Sequence, residues 1–400
     1  MKVGILTYHF VSNFGANLQT LSTYHNILKN GHEPLIINWV PKDLEEYYTK
    51  VVPANQNEAF HRFHANHYKH LSRICRTSRD IAAVVDEEQI DLVVIGSDAV
   101  LTYTPILSRL VLSRRGPRYV KPCIDSDFPN AFWGDFALST KSPVKLAIMS
   151  GSAQNTKYKN IKFRKKQFQE ALSRFSFISV RDIWTKKMLA FLTKDKLHVD
   201  ITPDPVFAFN YNVEDQYSKE YILNRFNIEG DYALLTIDNK GVSLEWKKQL
   251  EASFAKRGIT LLELPQANKP CKYALERTID FPIDPLEWYC LIKYATAYIG
   301  ELMHPVLASL HNAVPVYVLD TYGFKSSNST YGIDLESSKT YQIMSRFDLL
   351  DYYSNVHALS KLDKPEVVVN KVLAFDKAYC SQKAAMMLED YKVMMKTILN

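Results

Sequence analysis

The stretch Leu92-Val-Val-Ile-Gly-Ser-Asp98 decides how this chain is read. Leu92 to Gly96 run apolar without period-two alternation, as in a strand covered on both faces, and the run ends in a small residue, a hydroxyl and a carboxylate. In open α/β sheets, ligands bind outside the carboxyl ends of parallel strands, where such a polar tip is delivered. Gly96 permits close backbone approach, Ser97 can donate a hydrogen bond, and Asp98 can accept or shuttle a proton. A strand closed by a plain Asx turn shows the same residues. The neighbouring segments have to decide.

Upstream, residues 3–8 read as a strand, 16–30 as a helix with Leu18, Leu21, Ile27 and Leu28 at helical spacing and Gly31 as its stop, and 34–39 as a second strand. The loop of this βαβ unit, Asn13-Phe-Gly-Ala-Asn17, lies at a helix amino terminus, where free N–H groups and the dipole favour an anion. Asn13 as a simple cap and Gly15 as a turn residue fit equally. Downstream, a strand at 144–149 ends in Ser150-Gly-Ser152, one at 177–180 ends in Arg181 and Asp182, and one at 197–201 precedes Thr202-Pro-Asp-Pro205. Each strand end carries a group able to hydrogen-bond a ligand: Asn13, Ser97, Asp98, Ser150, Ser152, Arg181 and Asp204. In a parallel sheet these ends share one edge.

The pattern fades between residues 207 and 228, where an interdomain linker is expected, and then restarts. Strands are expected at 232–237, 260–264, 297–300 and 315–319, with helices at 243–256, 286–294 and 305–311. Glu301-Leu-Met-His304 opens the last of these helices, with Pro305 in its first turn. A chain of 400 residues exceeds one ordinary core. The expected architecture is therefore α/β, with two Rossmann-like doubly wound domains facing a cleft, spanning 1–208 and 209–375. A helical tail over 376–400 is expected to pack back on the first domain.

Composition excludes several classes. A hydrophobic fraction of 46%, 23% charged residues and a net charge of +6 are ordinary for a globular protein of this size. The densest basic run, Lys157, Lys159, Lys162, Arg164, Lys165 and Lys166, lacks the interleaved aromatics of a nucleic-acid groove and reads as a solvated helix face. The five cysteines are scattered and never form a CxxC pair, so neither a disulfide framework nor a zinc site is indicated. His61, His64, His67 and His70 suggest a ligand stripe, yet no carboxylate cluster completes it and the spacing drifts around a helix; no metal is expected. No run reaches the roughly 18 to 20 apolar residues of a membrane span, and the chain enters its first strand directly, so a cytoplasmic location is expected.

Gly4-Ile-Leu-Thr7, Asn13-Phe-Gly-Ala16 with Leu18-Gln19, Asp91 to Asp98, Ser179-Val-Arg-Asp182, Asp204-Pro205, and His304 opening a helix that leads to Val314-Pro-Val316 occur in the order found in polysaccharide pyruvyl transferases. The chain resembles that family over most of its length. The resemblance implies a GT-B-like fold and transfer of the enolpyruvyl carbons of phosphoenolpyruvate onto a sugar, making a pyruvate ketal in a cell-surface glycan or its precursor. It requires no further cofactor, and it is compatible with a lipid-linked acceptor and with peripheral contact at the inner face of the membrane.

The roles follow from the resemblance. Asp98 would serve as base, and His304 as acid or phosphate partner. Arg181 would clamp the donor bidentately. Asn13, Gly15, Asn17, Ser97, Ser150, Ser152 and Met303 would contact donor or acceptor. Plainer roles remain open beside these: a helix cap for His304, an ion pair for Arg181 with Asp182 or another carboxylate, and a turn acceptor for Asp98. The chain departs from the family where an Arg often precedes the His by two residues, because it has Leu302; Lys325 or Arg118 would then supply the charge, or the donor differs. The competing readings are a GT-B-like glycosyltransferase using a nucleotide sugar and a non-catalytic glycan-assembly protein of the same fold.

Overall fold

The computed structural model describes residues 1–400 apart from 114–115, 155, 162, 238–241, 272–274, 322–323, 326–332 and 357–361. Lys162 of the basic run and the side chain of Lys325 lie outside the described residues.

The first half is built on β1 (Lys2–Leu6), β2 (Glu33–Ile36), β3 (Leu92–Asp98), β4 (Lys145–Gly151), β5 (Phe177–Val180) and β6 (Asp200–Ile201). They form one sheet in the order β2-β1-β3-β4-β5-β6, and every pairing is parallel. Strand β3 lies inside it, registering Leu92 with Val3 on one side and with Lys145 on the other. Leu92 to Ile95 are buried, which is why the sequence there is apolar at every position. The chain winds from β1 outward to β2 and then back across to β3, so the carboxyl ends of β1 and β3 flank a topological switch point.

The second half repeats the plan with β7 (Tyr232–Thr236), β8 (Thr260–Glu263), β9 (Ala297–Gly300), β10 (Val316–Asp320) and β11 (Tyr353–Asn355). Their order is β8-β7-β9-β10-β11, again all parallel. The reversal falls between β7 and β9, and Glu301-Leu-Met-His304 leaves β9 at that point. Both sheets thus present a switch point carrying chemistry-bearing residues.

Local differences from the sequence reading have local causes. The first helix spans Phe14–Lys29, beginning earlier than expected because the Asn13 side chain accepts from the Ala16 N–H and caps it. The helix after β9 spans Met303–His311, so His304 is inside its first turn and Pro305 occupies a position whose N–H needs no partner. The expected linker is half packed: the turns Pro205–Ala208 and Phe209–Asn212 bury Val206, Phe207, Ala208 and Phe209, and Ser22 Oγ donates to the Pro205 carbonyl at 2.7 Å. Phe132, Trp133 and Phe136 pack in the core of the first half. An antiparallel hairpin, Leu110–Ser113 with Gly116–Tyr119, was not legible in the sequence.

A single apolar cluster joins Val3, Leu92 and Phe14 of the first half to Leu234, Tyr298 and Leu307 of the second. Phe14 stacks on Trp288 with ring centroids 5.0 Å apart, and Gln56 exchanges two hydrogen bonds with the Ile283 backbone, at 2.7 and 3.0 Å. The second half ends in the helix Pro365–Leu373, and the tail is the helix Lys377–Leu399, which buries Tyr391 and sets Met394 Sδ 3.4 Å from the Oγ atoms of Ser150 and Ser179. Among the described residues no helix is long and apolar enough to cross a membrane.

Gly96 has φ +120, and a Cβ there would sit 2.3 Å from the Met149 carbonyl oxygen, part of the backbone of the next strand. Gly96→Ala is expected to destabilise the protein by about 1–3 kcal/mol. A urea midpoint unchanged from wild type would show that β3 and β4 can part at this point.

Candidate active site

The carboxyl edges of the two sheets enclose a cavity of about 680 Å³. Asn13, Asp98 and Ala99 line it from the first half; Leu302, Met303, His304 and Lys339 line it from the second. Tyr8, Tyr47, Tyr48 and Asp125 also line it. A second cavity of about 650 Å³ shares Met303 and Lys339 with the first and adds Arg181, Phe207, Leu307 and Phe347.

Strand β3 ends with Asp98 at φ +94, a left-handed conformation that costs energy for a residue with a side chain. What holds it there is Arg181, delivered by the end of β5. Its Nη2 donates to Asp98 Oδ1 at 3.0 Å, and its Nη1 donates to Asp204 Oδ2 at 2.9 Å. The guanidinium is 6% exposed and the two carboxylates 15% and 3%. This bridge settles the ion-pair alternative and corrects the clamp: both terminal nitrogens already face carboxylates of the protein. The partners are Asp98 and Asp204, whereas Asp182 caps the following helix by accepting from Thr185 N–H and Ser152 Oγ.

Burial pushes the Asp98 carboxyl up, but Arg181, His304 and Lys339 together outweigh it, so the group stays ionised below the usual carboxylate range. His304 shows the opposite balance. Burial disfavours its charged form more than Asp98 and Asp204 favour it, and its pKa falls below 6.5, leaving a neutral imidazole at pH 7. The ring lies against Gly15, where a Cβ would come within 2.0 Å of His304 Cγ, so Gly15 makes room for the histidine. His304 Nε2 is buried and has no hydrogen-bond partner among the described residues, and an orphan of this kind at a cavity wall marks a group kept for something else. The plain capping role for His304 finds no support, since the cap position is Leu302 and no side chain there bonds the helix.

Several expected contacts prove to be scaffolding. Asn17 is sealed in: its amide donates to the carbonyls of Val11 and Asn13, and its Oδ1 accepts from Tyr68 Oη at 2.7 Å and His64 Nε2 at 2.6 Å. Ser97, Ser150 and Ser152 are wholly buried beneath the cavity. Ser97 Oγ accepts from the Asp98 N–H at 2.7 Å, Ser150 Oγ donates to the Pro203 carbonyl at 2.7 Å, and Ser152 Oγ donates to Asp182 at 2.7 Å. A strand-end hydroxyl in sequence does not reveal which side of the edge it faces. The histidine stripe dissolves too: the helix ends at His67, burial drives His64 down to about 3, and no group of three potential metal ligands occurs among the described residues. Arg118 lies exposed on the hairpin.

The residue that sequence reasoning missed is Lys339. It is the first residue of the helix Lys339–Arg346, whose cap is Ser338, and it lines both cavities. The capping serine announces a helix start, but nothing in the chain ties that start to the cleft. Burial and Arg181 lower the Lys339 ammonium to about 8 against the pull of Asp98, Asp182 and Asp204.

A family model described as polysaccharide pyruvyl transferase matches residues 13–322 of the chain. No curated protein matches. Among solved structures, Arabidopsis thaliana UGT89C1 complexed with quercetin aligns over 100% of this chain and 98% of its own at 9% identity and a TM-score of 0.53. The UDP-GlcNAc 2-epimerase of Neisseria meningitidis bound to UDP-GlcNAc aligns over 100% of both chains at 10% identity and a TM-score of 0.49. At 9% identity the first of these likenesses speaks for the fold alone, two Rossmann-like domains in a GT-B-like arrangement.

Because Asp98 favours the imidazolium and burial opposes it, His304 is expected to titrate below 6.5 by NMR, and lower still in Asp98→Asn. A His304 value that Asp98→Asn raises or leaves in place contradicts this charge balance.

Proposed function

The chain belongs to the polysaccharide pyruvyl transferase family, and we propose that it transfers the enolpyruvyl carbons of phosphoenolpyruvate to two hydroxyls of one sugar in a polysaccharide or its precursor. In this reading C2 of the donor gains two bonds to sugar oxygens and loses two, the second bond of its double bond to C3 and its bond to the phosphate oxygen. One hydroxyl proton ends on C3, turning the methylene into a methyl, and the other leaves with phosphate.

The observation that carries the reading is His304: a neutral imidazole with an orphaned Nε2, in the wall of a cavity that both halves of the chain enclose, under the field of Asp98. The reaction needs a group that takes a proton from a hydroxyl and gives one to a carbon. An imidazole neutral at rest and favoured as imidazolium by a nearby carboxylate can do both in turn. The sequence suggested Asp98 as base, but a carboxylate held below its usual range is a weak one. Its better use is electrostatic, stabilising the imidazolium and the positive charge that grows at C2 as the phosphate departs. The lining by Tyr47, Tyr48 and Asp125 suits a sugar, because aromatic faces pack against its C–H face and a carboxylate accepts from its hydroxyls.

The test is phosphate release from phosphoenolpyruvate in the presence of acceptor saccharides, with the product checked by mass for one added pyruvate ketal. His304→Ala is expected to lower kcat by about 10² to 10⁴ while leaving the thermal transition in place. Because the working form is the neutral imidazole, the rate of wild type is expected to fall as pH drops through the lowered His304 value and to be flat above it until another group titrates. Undiminished turnover in His304→Ala removes this assignment, and thermal stabilisation by nucleotide sugars with none by phosphoenolpyruvate moves the protein to nucleotide-sugar chemistry.

A further inference from the structure

We propose that the hairpin Leu110–Ser113 with Gly116–Tyr119, together with the segment around Phe163, is a docking surface for an anionic phospholipid bilayer.

Charge is spread unevenly along this chain. Residues 99–124 and 151–169 together carry eleven of its 49 Lys and Arg and none of its 43 Asp and Glu, so a chain of net +6 is net negative without them. The first segment is also apolar, with Ile106, Leu107, Leu110, Val120 and Ile124 set among its cations. The basic run of the second segment is only partly a helix face, because the helix begins at Lys165; Lys157 and Lys159 before that point and Lys166 after it are exposed.

The fold brings the two segments together. Arg164 Nη1 donates to the Phe128 carbonyl at 2.7 Å, which fixes the Phe163 segment beside the chain leaving the hairpin. The foot of the hairpin is anchored: Arg109 is buried and donates to Asp127 at 2.6 Å and to the Thr104 carbonyl at 3.1 Å, and the Ile124 N–H donates to Asp43 at 2.9 Å. The hairpin itself is uncovered. Among the described residues its strands pair with each other and with no strand of either large sheet. Leu110 and Tyr119 stand opposite each other in register, 59% and 56% exposed, and Phe163 is 66% exposed.

An isolated two-stranded hairpin is marginal in water. One that presents large apolar side chains beside the exposed Arg118 and Lys121 matches a lipid interface, where acyl chains receive the first and phosphates the second. A second copy of this chain is the poorer occupant, because facing hairpins would set like charges against each other. Thr102, Thr104, Cys123, Asp125 and Ser126, which flank the hairpin in the chain, line the cavity that holds Asp98 and His304. A bilayer under the hairpin therefore lies close to that cavity, where a sugar carried on a lipid is within reach.

Co-sedimentation of the full chain with vesicles tests this without substrate or turnover. Wild type is expected to partition onto vesicles of equal parts phosphatidylglycerol and phosphatidylcholine, to bind phosphatidylcholine vesicles at least about tenfold more weakly, and to be released as salt is raised. Leu107→Ser with Leu110→Ser is expected to lower the partition coefficient about tenfold or more, and Arg118→Ser about fivefold. All three side chains are exposed, so the thermal transition is expected to stay in place. Wild type that remains in the supernatant with the anionic vesicles overturns the proposal, as does equal binding to both kinds of vesicle. Full sedimentation of the double variant overturns the assignment to the hairpin. Should that variant fail to fold, Arg118→Ser and Lys121→Ser carry the test, and binding unaffected by either overturns it equally. A concentration-dependent dimer that the double variant abolishes, with no vesicle binding by wild type, overturns it in favour of a second copy.

Discussion

The constraint on which the rest depends is the buried bridge in which one guanidinium spans two carboxylates, Asp98 and Asp204. Taking three charges out of water is expensive, and removing one member of such a pair typically costs about 3–5 kcal/mol because the other is left stranded. The bridge is tolerable because the hydrogen bonds are well placed and because Gln19 Nε2 also donates to Asp204. In return it ties together the carboxyl ends of β3, β5 and β6, and it keeps Asp98 in a backbone conformation that an unsupported aspartate would leave. The bridge carries a net negative charge, and that charge sets the balance felt by His304 and Lys339 across the cavity.

The second dependence is positional. His304 and Asp98 belong to different sheets, so their relation exists only if the halves are held in a fixed orientation. Phe14 on Trp288, Gln56 on the Ile283 backbone, and the apolar cluster common to both sheets do that. Gly15 is the most sensitive point, since the first helix approaches the second half so closely that any side chain there would collide with the histidine ring.

The fold was legible because β3 and its neighbours are buried on both faces, and a parallel strand in that state leaves an unbroken apolar run. The positions of Asp98, Arg181 and His304 were legible for the same reason: Asp98 ends one visible strand, Arg181 directly follows another, and His304 opens the helix after a third. What could not be read was orientation. Ser97, Ser150 and Ser152 stand at strand ends as Asp98 does, yet their hydroxyls turn inward to satisfy backbone and side-chain groups. Arg181 was visible as a cation, but its charge is consumed by partners that are distant in sequence. Lys339 follows a stretch with no clear period, so only the three-dimensional return of its helix to the cleft marks it.

The helix Lys377–Leu399 carries a further consequence. Met394 reaches the hydroxyl of Ser150 across 244 residues of chain, and Tyr391 is fully enclosed nearby. During synthesis the first sheet therefore emerges with part of its lower surface uncovered, and it must wait for a segment made much later before its core is complete. Contacts of such long range are slow to form, and the partly covered sheet is exposed to wrong associations in the interval. Maturation of this protein is thus a property of the entire polypeptide, and its two halves cannot be treated as independently assembling modules.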